Sequence, residues 1–202
     1  MFSEPLMNEN YIQEKITINV IWANVFGVIV LIVALALFGT LFAFLWNQKF
    51  VQEINLFIIS GGNILQSLIN FFIYMLLFII GIILHEGIHG LFFALYSKNK
   101  FKSIKFGIMP KEKLFTPYCH CSEILRINYY RIAAIMPTII LGMLPVGISL
   151  IIGNVALLFF GTIFICAGCG DILMIMKLLK EKNNVLIYDL PDEAGFIIYR
   201  PK

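Results

Sequence analysis

Residues 64–89 read ILQSLINFFIYMLLFIIGIILHEGIH, an apolar run that ends in His85-Glu86-Gly87-Ile88-His89. The uncharged stretch extends back to Ile54, so that the 31 residues Ile54–Leu84 carry no charged side chain. About 20 apolar residues are enough for a helix to cross the hydrocarbon core of a bilayer. The sequence therefore predicts a membrane helix with two histidines and a glutamate at its end.

The spacing of these three side chains predicts a zinc site. Residues i and i+4 of a helix lie on one face, so His85 and His89 can reach the same Zn²⁺. Glu86, about 100° round the helix from His85, is the candidate general base for a water molecule activated by the metal. Ionisable groups within a span are costly and usually mark function. The alternative is a polar seam between helices that serves as a proton or ion path.

A catalytic zinc site has three protein ligands and one open position. The candidate third ligand is Asp171, the only acidic residue between Glu123 and Glu181. A rise of about 1.5 Å per residue puts His85 and Asp171 at similar depths in their predicted spans, near the cytoplasmic side. The alternative for Asp171 is a helix-end aspartate in the headgroup region.

The composition indicates an integral membrane protein. Of the 202 residues, 60% are hydrophobic and 13% are charged, whereas a soluble domain is about half apolar and a quarter charged. Uncharged stretches predict about four transmembrane helices in all. They are expected near residues 21–46, 64–84, 132–152 and 155–176, with the second beginning after Gly61-Gly62-Asn63 and the last two separated at Gly153-Asn154.

The basic residues predict the orientation. Eight of the fifteen lie in Lys98–Arg131 and five lie after residue 176, whereas Lys49 is the only one in the predicted loop between the first two spans. Since Lys and Arg are enriched in cytoplasmic loops, both termini are expected in the cytoplasm of a multi-pass protein of the cell membrane. Because these charges are sorted by topology, they give no indication of nucleic-acid binding.

We therefore expect an all-α polytopic membrane protein with about four transmembrane helices and a short cytoplasmic β-hairpin. The hairpin is predicted at residues 101–121 with its turn at Met109-Pro110-Lys111. The cytoplasmic tail, 177–202, contains a second pattern of two short strands. In terms of domains, residues 1–53 would form an N-terminal segment with the first span, and residues 54–202 a membrane-embedded domain of the zinc metalloprotease type.

The loop between the second and third spans offers further polar side chains. A hydrolase of this kind needs a second donor for the oxyanion of its transition state, and His120, Tyr118 and Asn128 are candidates. The segment Cys119-His120-Cys121 offers two thiols and one imidazole, which are too few ligands for a structural zinc site. None of the cysteines is spaced as in a secreted disulfide framework, and reduced thiols are expected at Cys119, Cys121, Cys166 and Cys169.

The chain resembles a bacterial family of membrane zincin peptidases over about residues 60–202. In the arrangement of its candidate metal ligands it is also similar to the site-2 intramembrane metalloproteases, which pair a His-Glu-x-x-His helix with an aspartate from a later helix. The resemblance implies a zinc metalloprotease but no particular substrate. It rests on four segments of this sequence: His85-Glu86-x-x-His89, Pro117-Tyr-Cys-His-Cys-Ser-Glu123, Gly-x-Gly-Asp171 and Asp189-Leu-Pro-Asp-Glu-Ala-Gly195.

The leading prediction is a zinc-dependent intramembrane or membrane-proximal peptidase that acts on a membrane protein or peptide near the cytoplasmic face. Its alternative is a non-catalytic protease-like binder or chaperone, or an ion carrier. By analogy with proteases that bind extended chains, an edge of the hairpin would add a substrate strand. Equally, the hairpin would only cover the cytoplasmic face. The oligomeric state is left open.

Overall fold

The structure, a computed structural model, describes residues 10–52, 64–108 and 117–202. Within these ranges the chain is mostly helical and contains two small antiparallel sheets. Two predicted features lie outside the described residues, namely the start of the second span after Gly61-Gly62-Asn63 and the hairpin turn at Met109-Pro110-Lys111.

Among the described residues, three helical segments are long and apolar enough to cross a membrane, and a bent pair of shorter helices would be the fourth if it forms one span. The pair is bent by 45° where one residue, Gly168, separates its two helices. A π-helix, Thr138–Met143, joins two of the α-helices into the third long segment, Ile127–Ile152. The α-helices are α1 (Val20–Leu45), α2 (Ile64–Tyr96), α3 (Ile127–Pro137), α4 (Leu144–Ile152), α5 (Val155–Ala167) and α6 (Cys169–Leu178).

Helix α2 is longer than the sequence predicted. It continues from Leu84 through the His-Glu-x-x-His motif to Tyr96, because the residues after the motif remain apolar and contain no proline. Its 33 residues correspond to about 50 Å at 1.5 Å per residue, which exceeds the hydrocarbon thickness of about 30 Å. The motif therefore lies inside a helix rather than at its end.

The break between α4 and α5 lies where the sequence predicted it. Gly153 adopts a left-handed conformation with φ of 68°, which glycine reaches without steric cost and which commonly ends a helix. Asn154 then begins α5, since its side-chain oxygen accepts a hydrogen bond of 2.9 Å from the backbone N–H of Leu157. A side-chain oxygen that accepts in this way satisfies one of the backbone N–H groups that have no partner within the helix at its start.

The β structure is more extensive than the predicted hairpin and the two short strands predicted in the tail. The hairpin strands β2 (Ile104–Ile108) and β3 (Pro117–Cys121) form a two-stranded antiparallel sheet. A separate four-stranded antiparallel sheet has the order β1-β6-β5-β4. Its strands are β1 (Tyr11–Thr17), β4 (Leu125–Arg126), β5 (Leu186–Asp189) and β6 (Gly195–Pro201).

The expectation of an all-α fold is thus corrected by this second sheet. The tail pattern predicted β5 and β6, but β1 and β4 were not predicted. The two residues of β4 are too few to show an alternating pattern, and β1 is largely exposed and polar. Both are strands because of long-range pairing, β1 with β6 and β4 with β5, and such pairing leaves no local signal in the sequence.

The chain divides into two compact units. The first lies within residues 1–26, 86–137 and 168–202, and the second within residues 27–85 and 138–167; the boundary at residues 85 and 86 falls inside the continuous helix α2. The first unit has a core in which residues of α3, α6 and the four-stranded sheet are fully buried, among them Ile127, Leu178, Ile187, Phe196 and Ile198. The second unit has its own core, formed by Phe42, Val146, Val155, Leu158 and Ile165.

Candidate metal centre

Helix α2 places its two motif histidines one turn apart on the same face. Both imidazoles are buried, with 7% of His85 and 6% of His89 exposed. A buried imidazole needs a polar partner or a metal, because desolvation of an unsatisfied polar group is costly. The position of the pair is a consequence of helical geometry alone, which is why the motif spacing predicted it.

Asp171 lies in the first turn of α6, after the bend at Gly168. One of its carboxylate oxygens, Oδ2, is 3.4 Å from Nε2 of His89. One possible ligand atom each from His85, His89 and Asp171 lies within 4.8 Å of the other two. Among the residues that the structure describes, this is the one group of three or more His, Cys, Asp or Glu side chains that could hold a metal ion.

The ring of His89 is held by a backbone carbonyl. Its Nδ1 is 2.9 Å from the oxygen of Ala133 in α3. Because a carbonyl oxygen can only accept, Nδ1 carries the proton and the lone pair is on Nε2 in the neutral ring. Nε2 and the Asp171 oxygen then face each other as two acceptors, an arrangement that a shared proton or cation stabilises.

The donor set fits zinc. Two imidazole nitrogens and one carboxylate oxygen are the three protein ligands of a common type of catalytic zinc site. A metal-bound histidine usually donates its other ring N–H to a carbonyl or carboxylate, as His89 does to Ala133. The structure thus brings together the three residues that the sequence proposed as ligands, and their role as ligands remains a prediction.

Glu86, the predicted base, is half-buried and follows His85 in the same helix. Its charge reaches the hairpin strand β3: the pKa of the Cys119 thiol is raised far above its usual range by burial, by Glu86 and by Asp189. The pKa of Cys121 is raised to about 11, mainly by burial. Burial therefore favours the protonated form of both thiols at neutral pH.

The hairpin packs directly against α2 beside the motif. A side chain at Gly90 would place its Cβ only 2.5 Å from Cζ of Phe106 and 3.3 Å from Cγ2 of Ile104, both in β2. Glycine at this position therefore allows the strand to approach the helix one residue after His89. No local pattern predicts this contact, because it depends on which face of the helix the strand covers.

His120, a candidate oxyanion donor, belongs to a second buried polar cluster. Its Nδ1 is 3.2 Å from Oδ2 of Asp189, and the hydroxyl of Tyr130 donates to Oδ1 of Asp189 at 3.1 Å. Burial raises the pKa of Asp189 although His120, Tyr130 and the N–H of Cys121 stabilise its charged form. The cluster connects β3, α3 and β5, and neither Asp189 nor Tyr130 was predicted as a site residue. Their separation in the sequence concealed the contact.

The two other oxyanion candidates have different neighbours. The Tyr118 ring lies against Gly107 of the paired strand, where a Cβ would be 2.9 Å from Cε1. The side-chain oxygen of Asn128 accepts a hydrogen bond of 3.2 Å from Arg131. Neither residue is among the three that could hold the metal, and the structure does not single out an oxyanion donor between them.

A comparison with known protein families is consistent with a zinc site at these residues. A protein-family profile described as "Putative zincin peptidase" matches residues 78–186, more than half of the chain, and this range includes the three candidate ligands and Glu86. The chain belongs to this family, and its resemblance to membrane zincin peptidases is thereby confirmed. Comparison with curated proteins and with solved structures gave no match.

Proposed function

We propose that this protein is a zinc-dependent membrane peptidase that cleaves a membrane-anchored or membrane-adjacent protein near the cytoplasmic face. The observation that carries the proposal is the convergence of His85 and His89 of α2 with Asp171 of α6, whose possible ligand atoms lie within 4.8 Å of one another. Zincin membership of the chain supports the same chemistry.

The chain supplies the ligands and the base. His85, His89 and Asp171 would hold Zn²⁺, which when bound polarises the scissile carbonyl and makes a water molecule acidic at neutral pH. The Glu86 carboxylate accepts the proton of that water and returns it to the amine nitrogen that leaves when the peptide C–N bond breaks. Burial of both imidazoles limits the access of other water to the site.

The four-stranded sheet supports a four-span topology. Hydrogen bonding between β1, β6, β5 and β4 requires these strands to lie on one side of the membrane. The chain must then cross an even number of times between β1 and β4, which the segments Val20–Leu45 and Ile64–Tyr96 provide. An even number of crossings is likewise expected between β4 and β5, and the segment Ile127–Ile152 would provide it together with the bent pair α5–α6, if that pair acts as one span.

In the same topology, the proposed site would lie close to the cytoplasmic face. Fourteen of the fifteen basic residues then share the side of the sheet, which the positive-inside rule assigns to the cytoplasm. His89 lies seven residues before the end of α2, and Asp171 seven residues before the end of α6. At 1.5 Å per residue both are about 10 Å from those helix ends.

The hairpin is the proposed support for the substrate. β2 lies against α2 at Gly90, one residue after His89, so the hairpin borders the proposed site. An extended peptide would pair with an edge of this two-stranded sheet, since proteases act on unwound chains. The other role considered, a cover over the cytoplasmic face, remains its alternative.

A comparison of membrane proteomes tests the proposal. Cells would express the wild-type chain, Glu86→Gln, or the control Glu193→Gln, which makes the same chemical change at a surface ion pair with Lys15. We expect a protein fragment that is present with the wild type and the control and absent with Glu86→Gln. Full production of the fragment by Glu86→Gln would show that Glu86 is not the base and would reject this mechanism.

A further inference from the structure

Pro137 is the last residue of α3, in the middle of the third long helical segment. In an α-helix, the N–H of residue 137 would donate to the carbonyl of residue 133. Proline has no N–H, and its ring crowds the carbonyl four residues earlier. The helix therefore cannot make its regular hydrogen bond to the Ala133 oxygen.

The Ala133 oxygen accepts a hydrogen bond from another helix instead. Nδ1 of His89 in α2 is 2.9 Å away, and both residues are buried, with Ala133 fully so. On its other side the His89 ring presents Nε2 to Asp171 at 3.4 Å. One hydrogen bond to Ala133 thus fixes the plane and the tautomer of the ring that faces Asp171.

We infer that Pro137 is a positioning residue for the metal centre. By removing the regular helical donor, it leaves the Ala133 carbonyl to hold the His89 imidazole with Nε2 directed at the ligand group. This inference rests on the proposed zinc site. It assigns a chemical role to a proline that otherwise only marks the transition from α3 to the π-helix.

Pro137→Ala restores the missing N–H at this position. The new amide would compete with His89 for the Ala133 oxygen, and the ring would lose the partner that fixes its orientation. Loss of such an outer hydrogen bond to a metal-bound histidine typically lowers metal affinity about 10–100-fold. We expect a decrease of that size in the zinc affinity of Pro137→Ala.

The matched control is Pro145→Ala. Pro145 is also buried and lies near the start of α4 in the same helical segment. The carbonyl four residues before it belongs to Leu141, whereas the carbonyl bonded to His89 belongs to Ala133. The control thus makes the same change in proline content, and we expect its zinc affinity to match the wild type.

The measurement is zinc affinity by chelator competition on the purified full chain in detergent micelles, together with the visible absorption of the Co²⁺-loaded protein. A weaker Pro137→Ala with an altered Co²⁺ spectrum, beside an unaltered Pro145→Ala, supports the inference. Equal affinity and identical spectra for Pro137→Ala and the wild type overturn it. Absence of zinc binding by the wild type rejects the proposed metal centre itself, so the two failures are distinguishable.

A second replacement covers the case in which Pro137→Ala does not fold. Replacing Pro137 with the α-hydroxy acid analogue of alanine removes the ring while still providing no N–H. If the missing donor is what positions His89, this ester variant binds zinc within about threefold of the wild type. That change is much smaller than the roughly 10–100-fold decrease expected for loss of the hydrogen bond. A decrease as large as that would overturn the inference, because the ring and not the missing N–H would then be responsible.

Discussion

Asp171 carries the only carboxylate in the candidate ligand set. Asp171→Ala should lower zinc affinity by more than the roughly 10–100-fold that is typical for loss of an outer hydrogen bond, because it removes a ligand. Metal analysis after equilibrium dialysis of the purified protein measures this change. Glu86→Gln should retain its zinc, since both histidines and Asp171 remain.

The control for this loss is Asp192→Ala, which removes an exposed carboxylate in the segment between β5 and β6. Its zinc content should equal that of the wild type. Full zinc content in Asp171→Ala would mean that Asp171 does not bind the metal and that another side chain completes the site.

The Glu123 side chain binds the turn that follows α2. Its carboxylate accepts hydrogen bonds from the backbone N–H groups of Lys98 at 2.8 Å and Asn99 at 2.9 Å and from the Ser103 hydroxyl. Burial alone would raise its pKa, but these donors outweigh burial and lower the pKa below the usual value of 4.5.

Glu123→Gln should therefore destabilise the protein at neutral pH by roughly 1 kcal/mol, since hydrogen bonds to a charged group are stronger than neutral ones. A depressed folded-state pKa contributes stability above about pH 4.5, and this contribution is lost as the pH falls through the folded-state pKa. The difference in thermal unfolding temperature between wild type and variant should accordingly shrink at acidic pH. Glu193→Gln, at a partly exposed surface ion pair, should change stability much less; an equal effect of both variants would contradict the expectation.

At the scale of elements, the contact between α2 and β2 depends on the absence of a side chain at Gly90. Gly87 lies one turn earlier on the same helix, and a Cβ there would meet no atom within 4 Å. Alanine in place of a helical glycine gains roughly 0.5–1 kcal/mol. Gly87→Ala should therefore raise the unfolding temperature.

Gly90→Ala should gain less or lose stability, because its Cβ would lie 2.5 Å from Phe106 and that ring must move. The double variant Gly90→Ala, Phe106→Ala should recover part of the difference, since it removes the atom that clashes. Thermal unfolding of the four proteins in one detergent measures these effects. Equal stabilisation by Gly87→Ala and Gly90→Ala would show that the hairpin does not pack on this face of α2.

Some of the helices and strands could be predicted from local sequence patterns, and others could not. Apolar runs predicted the long helices, and the glycine at 153 predicted the break before α5, because both signals depend on residues close together in the chain. β1 and β4 were missed because their pairing partners, β6 and β5, lie about 180 and 60 residues further along the chain. The extension of α2 to Tyr96 is not predicted by the sequence, because ionisable residues such as those of the motif usually indicate the end of a span.

At the scale of the whole molecule, the sheet connects segments from both ends of the chain. Arg200 of β6 binds Glu14 of β1 at 2.6 Å and Glu181 of the tail at 2.7 Å. The hydrogen bond from Arg200 and its positive charge both lower the pKa of Glu181. The N- and C-terminal strands are therefore held together by backbone pairing and by ion pairs.

This pairing makes the membrane topology testable. A membrane-impermeant thiol reagent applied to intact cells should label a cysteine introduced at Ile152, beside the turn between α4 and α5, and should not label one at Lys180. After the membrane is permeabilised, both should be labelled. The wild-type chain, with its four free cysteines, gives the background. Labelling of Lys180→Cys in intact cells would contradict the cytoplasmic location of the tail, and labelling of both cysteines would contradict the four-span arrangement itself.

The sequence by itself determined the apolar composition expected of a membrane protein, the long helices and the two histidines of the His-Glu-x-x-His motif. These follow from composition and from helical spacing, which are local properties of the chain. Only the tertiary structure decided that Asp171 faces His89, that Ala133 holds the His89 ring and that β1 pairs with β6. Each of these contacts joins residues far apart in the chain, and the packing of side chains, which no short segment encodes, brings them together.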